Sequence, residues 1–167
     1  KENGLPEFYF AAFTYHADKE GGEIMSLGFD AVVSCRNNRN RLRNLSWLVR
    51  KVMSKLFQRP RTIAYKKVWP KLISDLERTD NRYIPVIMPN WDHTPRSGVN
   101  GDLFTGSTPQ EFGKHCEDVL SSVCAKQNPL VLIKSWNEWG EGNYMEPDMK
   151  YGKGMIKALR KVVDKLS

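Results

Sequence analysis

Three observations on this 167-residue chain predict an α/β fold of the (β/α)8 TIM-barrel type, present as a half barrel of four β-α units. Four short apolar runs, at residues 8–13, 29–34, 83–88 and 130–135, read as strands. Helical patterns separate them, and intervening helices impose parallel neighbours. The last run, from Leu130 to Ile133, is apolar throughout instead of alternating, as expected of a strand covered on both faces. Four units are half of a closed eight-unit barrel, and the chain reads as one domain fragment over 1–167.

Phe8 to Phe13 follows the breaker Gly4-Leu5-Pro6 and reads as a buried aromatic strand, with Tyr15 and His16 just past its carboxyl end. Glu20 to Leu27 is a short helical connection, and Gly28 opens the second strand. An Arg/Asn-rich loop leads to Leu45, Leu48, Val49, Val52 and Leu56, the stripe of an amphipathic helix. After Arg59-Pro60 a second stripe runs from Tyr65 to Leu76 and reads as core, with Pro70 in its first turn or kinking it. The third strand ends in a long Gly/Ser/Asn loop reaching Ser107, a length typical of lids and binding loops. Thr108-Pro109-Gln110-Glu111 is a capping box with Pro at the first helical position, and Phe112, Cys116, Val119, Leu120 and Val123 share one face of the helix it starts. The final helix carries Met155, Leu159, Val162, Val163 and Leu166.

The fourth strand breaks abruptly into Trp136-Asn137-Glu138-Trp139-Gly140-Glu141-Gly142. Ligands of α/β sheets and barrels bind at the carboxyl ends of strands, which is where these residues fall. Two carboxylates facing a sugar ring are the minimum equipment for cleaving or remodelling a glycosidic bond, and indoles supply faces on which sugars stack. An arbitrary pair of loop glutamates is usually a cap or a solvated pair. Here the two Trp, the Asn and the two Gly around Glu138 and Glu141 favour a site. The acid of such a pair needs its proton at working pH, which a desolvating wall from Trp136 or Trp139 would promote, while its partner stays ionised.

This motif, continued by Tyr144-Met145-Glu146-Pro147-Asp148, resembles the signature of the WbsX-like family, related to glycoside hydrolase family 99, the endo-α-mannosidases. Upstream, Pro89-Asn90-Trp91-Asp92-His93-Thr94-Pro95-Arg96 is similar to the family's Trp-Asp-Asn-Thr-Pro-Arg, with His93 standing where the pattern reads Asn. With Gly28 to Val32 the resemblance covers most of this chain and the C-terminal half of the family's barrel. It implies a bacterial carbohydrate-active enzyme of lipopolysaccharide or other surface-polysaccharide biosynthesis, acting on oligosaccharide or polysaccharide. Carried over residue by residue, it makes Glu138 the group that assists the sugar's 2-hydroxyl as an internal nucleophile and Glu141 the general acid/base. Trp91, Asp92, Arg96, Trp136, Asn137, Trp139, Tyr144 and Glu146 are then the candidate substrate-binding residues; Asp92 and Arg96 suit sugar hydroxyls, and Arg96 also suits an acidic sugar or phosphate.

Composition bounds the alternatives. No cofactor or metal is expected: no Gly-rich nucleotide loop follows a strand, and no metal-type spacing surrounds Cys35, Cys116, Cys124 or the three His. Cys116 and Cys124 would lie about 12 Å apart along one helix, too far to bridge, so the cysteines read as buried thiols in a reducing cytoplasmic setting. The net charge of +7 is uneven. Between Arg36 and Lys71 stand twelve Lys or Arg and no acid, a basic helical insertion over 36–71. Such a segment suits a phosphate, an anionic lipid-linked glycan carrier or an anionic leaflet at the inner membrane surface, or is simply a solvated helix face. Nucleic acid is not an expected partner, since positive charge without a recognised module is weak support. The missing half of the barrel, or self-association, would cover the open sheet edges. A glycosyltransferase of the same pathway and a non-catalytic glycan- or carrier-binding module are the rival functions.

Overall fold

A computed structural model describes residues 8–34 and 45–167. Cys35 and the Arg/Asn-rich loop with Arg36, Arg39, Arg41 and Arg43 lie outside the described residues. In chain order the elements are β1 (Ala11–Thr14), α1 (Ala17–Ser26), β2 (Ala31–Ser34), α2 (Leu45–Leu56), β3 (Arg61–Ala64), α3 (Tyr65–Val68), α4 (Asp75–Thr79), β4 (Tyr83–Ile84), β5 (Val86–Ile87), α5 (Thr94–Ser97), β6 (Asp102–Thr105), α6 (Pro109–Val123), β7 (Leu132–Ile133), β8 (Asn137–Glu138), β9 (Asn143–Tyr144) and α7 (Gly154–Leu166).

The four predicted strands form and run parallel: β1 pairs with β2, β2 with β4, and β5 with β7. β4 and β5 are one run of chain interrupted at Pro85, which has no N–H to give the ladder but whose carbonyl accepts from Leu132 N at 3.0 Å. Alternation along this run sorts the side chains. Ala31, Val33, Ile84 and Val86 form a cluster on one face. Val32 and Tyr83 pack with Ala17, Ile24 and Met25 of α1 on the other. Ile87 joins the main core, where Phe112, Cys116, Val119 and Val123 of α6 meet Met155 and Val162 of α7.

Several expectations change. β1 is a sheet edge, and Phe8, Tyr9, Phe10 and Phe13 are exposed, Phe13 to 66%. The aromatic run forms a strand without being covered, because only β2 pairs with it among the described residues. The long loop before Ser107 holds α5, a 3₁₀ turn and β6, and β6 pairs in parallel with β3, a strand inside the basic segment. Arg61 at the start of β3 binds Asp102 at the start of β6 at 2.7 Å, which sequence periodicity has no means of announcing. The stripe from Tyr65 to Leu76 divides into α3, a 3₁₀ turn over Trp69–Lys71 containing Pro70, and the start of α4. Tyr65, Val68, Leu72 and Ile73 are nevertheless core residues.

Helix α2 forms where its period demands, but Leu48, Val49, Val52, Met53 and Leu56 face out. One tie to the body is Ser54 Oγ, which donates to Val99 O at 2.7 Å. At α6 half of the expected capping box is made: Thr108 Oγ1 accepts from Glu111 N at 3.2 Å, while the Glu111 carboxylate takes bonds from Lys114 and Trp69 instead. The complete box is at α4, between Ser74 and Glu77. Cys116 is buried, its thiol pushed up to about 12 by that burial, whereas Cys124 is exposed at the end of α6, contrary to the buried reading. Among the described residues no helix is long and apolar enough to cross a membrane.

Candidate active site

The site is built on the carboxyl ends of β5 and β7. Beyond β5 the chain is clamped from three sides. Tyr65 Oη donates to Met88 O at 2.6 Å, Met88 N donates to His115 Nε2 at 3.3 Å, and Ser107 Oγ donates to Pro89 O. Trp91 to His93 then lie against β6: Phe104 N donates to Trp91 O at 2.8 Å and His93 N to Asp102 O at 2.9 Å. Gly101 permits this approach, since a Cβ there would sit 2.8 Å from the His93 and Thr94 backbone.

Beyond β7 the motif is a hairpin of β8 and β9, with a 3₁₀ turn over Trp139–Glu141 between them. Gly142 closes it at φ +55, a conformation that L side chains avoid, and an added Cβ would meet Asp92 Cβ at 2.9 Å. Asp92 N donates to Glu141 O at 2.7 Å, so the two motifs are joined through main chain.

Their side chains converge as well. Arg96 Nη2 donates to Glu138 Oε1 at 3.1 Å, and Arg96 Nε lies 3.7 Å from Glu141 Oε1. His93 Nδ1 lies 3.2 Å from the same Glu141 oxygen, although off the direction a hydrogen bond needs. Glu141 is the more enclosed acid, its side chain 15% exposed against 37% for Glu138. Asp92 turns its carboxylate to Thr94, accepting from its N at 2.9 Å and its Oγ1 at 2.6 Å. Arg96 and Asp92 thus spend their contacts on the protein itself. Trp91, only 6% exposed, belongs to the main core, stacked on His93 with Lys134 Nζ 5.2 Å from its ring centre.

The remaining candidates form a second group on the same hairpin. Trp139 stacks on Tyr144 at 3.7 Å between ring centres and donates to Glu146 Oε2 at 2.6 Å. Tyr144 Oη donates to Asp148 at 3.2 Å, and burial, with Asp148 beside it, holds the phenol's pKa above its ordinary value. Trp136 and Asn137 are exposed at the hairpin's start, and Trp136 O accepts from Met145 N and Glu146 N. Asn143, wholly buried beneath, has no side-chain partner among the described residues. Tyr65, His115 and Ser107 come from distant segments; as an isolated Tyr, His and Ser in core or loop patterns they carry no sequence signal of this work. No group of three metal-ligating side chains occurs among the described residues.

The model of the family described as "Glycosyltransferase WbsX" matches residues 1–159. The chain belongs to the WbsX family. WxcX of Xanthomonas campestris pv. campestris is 25% identical over 169 residues, covering 98% of this chain and 23% of its own length. A solved structure named "Glycoside hydrolase-like protein" superposes with TM-score 0.52 at 18% identity, covering 96% of this chain and 45% of that one. The GH99 endo-alpha-mannosidase from Bacteroides thetaiotaomicron gives TM-score 0.49 and 20% identity, over 96% and 47%. This WbsX-family chain therefore spans about a quarter of the length of the curated relatives it matches and just under half of its glycoside hydrolase-like neighbour, whose likeness speaks for the fold.

Proposed function

We propose that the chain carries the catalytic half of a carbohydrate-active site working on glycosidic bonds of bacterial surface polysaccharide, within the C-terminal half of a (β/α)8 barrel. The observation that carries this reading is the junction of the two motifs: Arg96 from the end of β5 reaches both Glu138 and Glu141 from the end of β7. Two carboxylates fixed by one guanidinium at strand carboxyl ends are equipped for a paired nucleophile-assisting and acid/base mechanism. Glu138, the more open, would draw the proton from the sugar's 2-hydroxyl as that oxygen attacks the anomeric carbon. Glu141 would protonate the leaving oxygen, then take a proton from the incoming water or acceptor hydroxyl. Trp136 and the Trp139-Tyr144 stack offer aromatic faces to neighbouring sugars.

A transferase reading is favoured by the family's own description. The same two acids serve it if an acceptor hydroxyl replaces water. Release of reducing ends from surface polysaccharide alone marks a hydrolase, and turnover only with an activated sugar donor marks a transferase. In either case Glu138→Gln and Glu141→Gln, in the chain or in any longer protein that carries it, are expected to lower turnover by about 10²-fold or more with the melting temperature nearly unchanged. Unimpaired turnover in both variants would remove the chemistry and leave a glycan-binding surface. As a further partner we propose an anionic lipid-linked carrier at a membrane surface, met by α2; the support is that its exposed apolar residues lie within a segment rich in Lys and Arg and free of acids.

A further inference from the structure

We propose that the cavity between α2 and β3 is a binding site for a phosphate ester whose other substituent is apolar. The inference deepens the anionic-carrier reading given above and rests on it for the kind of partner. The cavity measures about 580 Å³, within the range of about 300–1,000 Å³ usual for small-molecule sites. Arg59 and Lys67 bring charge to it, and Met53, Phe57, Pro60 and Ile63 bring apolar wall. Among the described residues no carboxylate lines it, and neither Arg59 nor Lys67 is held in an ion pair.

Both walls are anchored to the body of the protein. Ser54 Oγ donates to Val99 O at 2.7 Å, and Arg59 N donates to Ser54 O at 3.0 Å, which ties the last turn of α2 to the chain leading into β3. On the β3 side Arg61 N donates to Gly101 O at 3.3 Å, and the Arg61 guanidinium binds Asp102 at 2.7 Å. That pair neutralises Arg61 within the wall. The outer cations, Arg59 and Lys67, are left to a ligand.

The chemistry of the lining selects the ligand. A guanidinium offers phosphate oxygens a planar fork, and an ammonium offers them a compact point charge. A bare anion would leave the apolar wall wet, and a bare hydrocarbon would leave both cations without a counter-charge. A phosphate ester with an apolar substituent satisfies the two together. Its place in the fold also bears on the site: Leu103 of β6 is paired with Thr62 of β3 on one side and bridged to Asp92 on the other. With neighbouring strands about 4.8 Å apart, β3 stands about 10 Å from the Asp92 main chain, so the cavity is two strands removed from the motif that carries Arg96.

The test is calorimetric titration of the chain with octyl phosphate, inorganic phosphate and octanol. We expect octyl phosphate to bind at least about ten-fold more tightly than either of the others, since a charge-assisted bond and two buried methylenes are each worth about that factor. Arg59→Glu and Lys67→Glu should each weaken its binding by about ten-fold, and Phe57→Ser should weaken it as well. Lys161→Glu, the same change of charge on α7, should leave it as it was. Arg59, Lys67 and Phe57 are exposed, so these variants are expected to fold, which their melting temperatures check. Equal binding of inorganic phosphate, equal binding of octanol, or an equal loss in Lys161→Glu would overturn the proposal. These arms need neither membrane nor turnover. Vesicle binding without octyl phosphate binding would keep the carrier reading and remove the cavity from it, whereas octyl phosphate binding without vesicle binding would keep the cavity and remove the membrane.

Discussion

Gly142 joins the two motifs by what it lacks. Its φ of +55 and the 2.9 Å between a hypothetical Cβ and Asp92 mean that Gly142→Ala meets both a disfavoured backbone region and a neighbour it must displace. We expect a loss of about 1–2 kcal/mol from the backbone alone, read as a lower urea midpoint, with turnover falling because the Asp92 N to Glu141 O bond is pushed apart. His115 acts at the same scale from beneath. Wholly buried against Tyr65, Trp69 and Phe112, its pKa is lowered to about 4 by desolvation. Between that value and the ordinary 6.5 the unfolded chain binds the proton and the folded one does not, so stability falls as pH drops through this window. The full effect is about 3 kcal/mol. His115→Gln keeps an acceptor for Met88 N–H and removes the titration; urea midpoints at pH 7 and pH 4.5 should differ less in the variant than in the parent. The two residues were unequally legible in the sequence. A Gly between Glu141 and Asn143 announces a turn, whereas the role of His115 depends on which strand end α6 happens to cover.

Element α2 separates periodicity from burial. Its stripe specifies a helix, and the helix forms, but nothing in a 3.6-residue period says what will cover the apolar side, and Leu56 is left 70% exposed. If an anionic membrane surface is what it meets, the chain should sediment with vesicles containing acidic phospholipid and be released as salt rises from 0.1 to 1 M, where the Debye length shrinks from about 10 to 3 Å. Leu56→Asp should weaken the binding at low salt. Retention that is indifferent to salt and lipid charge would return α2 to a solvated face or a protein contact. Caps show a similar division: Thr108 announces a helix start, yet Lys114 and Trp69 draw Glu111 away from its box, while the complete box, between Ser74 and Glu77, starts inside a stretch whose period reads as one continuous stripe.

At the scale of the whole molecule the parallel set ends in two edges among the described residues, β1 with its exposed aromatics and β7 with Leu132 and Ile133 partly open. Edges of this kind are templates for further strands. We propose that the rest of a barrel, or a second copy, pairs there; in the chain by itself light scattering should find concentration-dependent association, weakened by Phe13→Lys on β1. A strict monomer at all concentrations would count against it.

The sequence by itself determined the four strands, the α6 and α7 helices and the pairing of motif with strand end, because these depend on local periodicity, caps and turn residues. Tertiary structure decided which faces were covered, that β3 and β6 pair across some forty residues, and that Arg96, His93 and both glutamates meet. Those outcomes depend on contacts between segments distant in the chain, and the energy of such a contact is carried by neither segment alone.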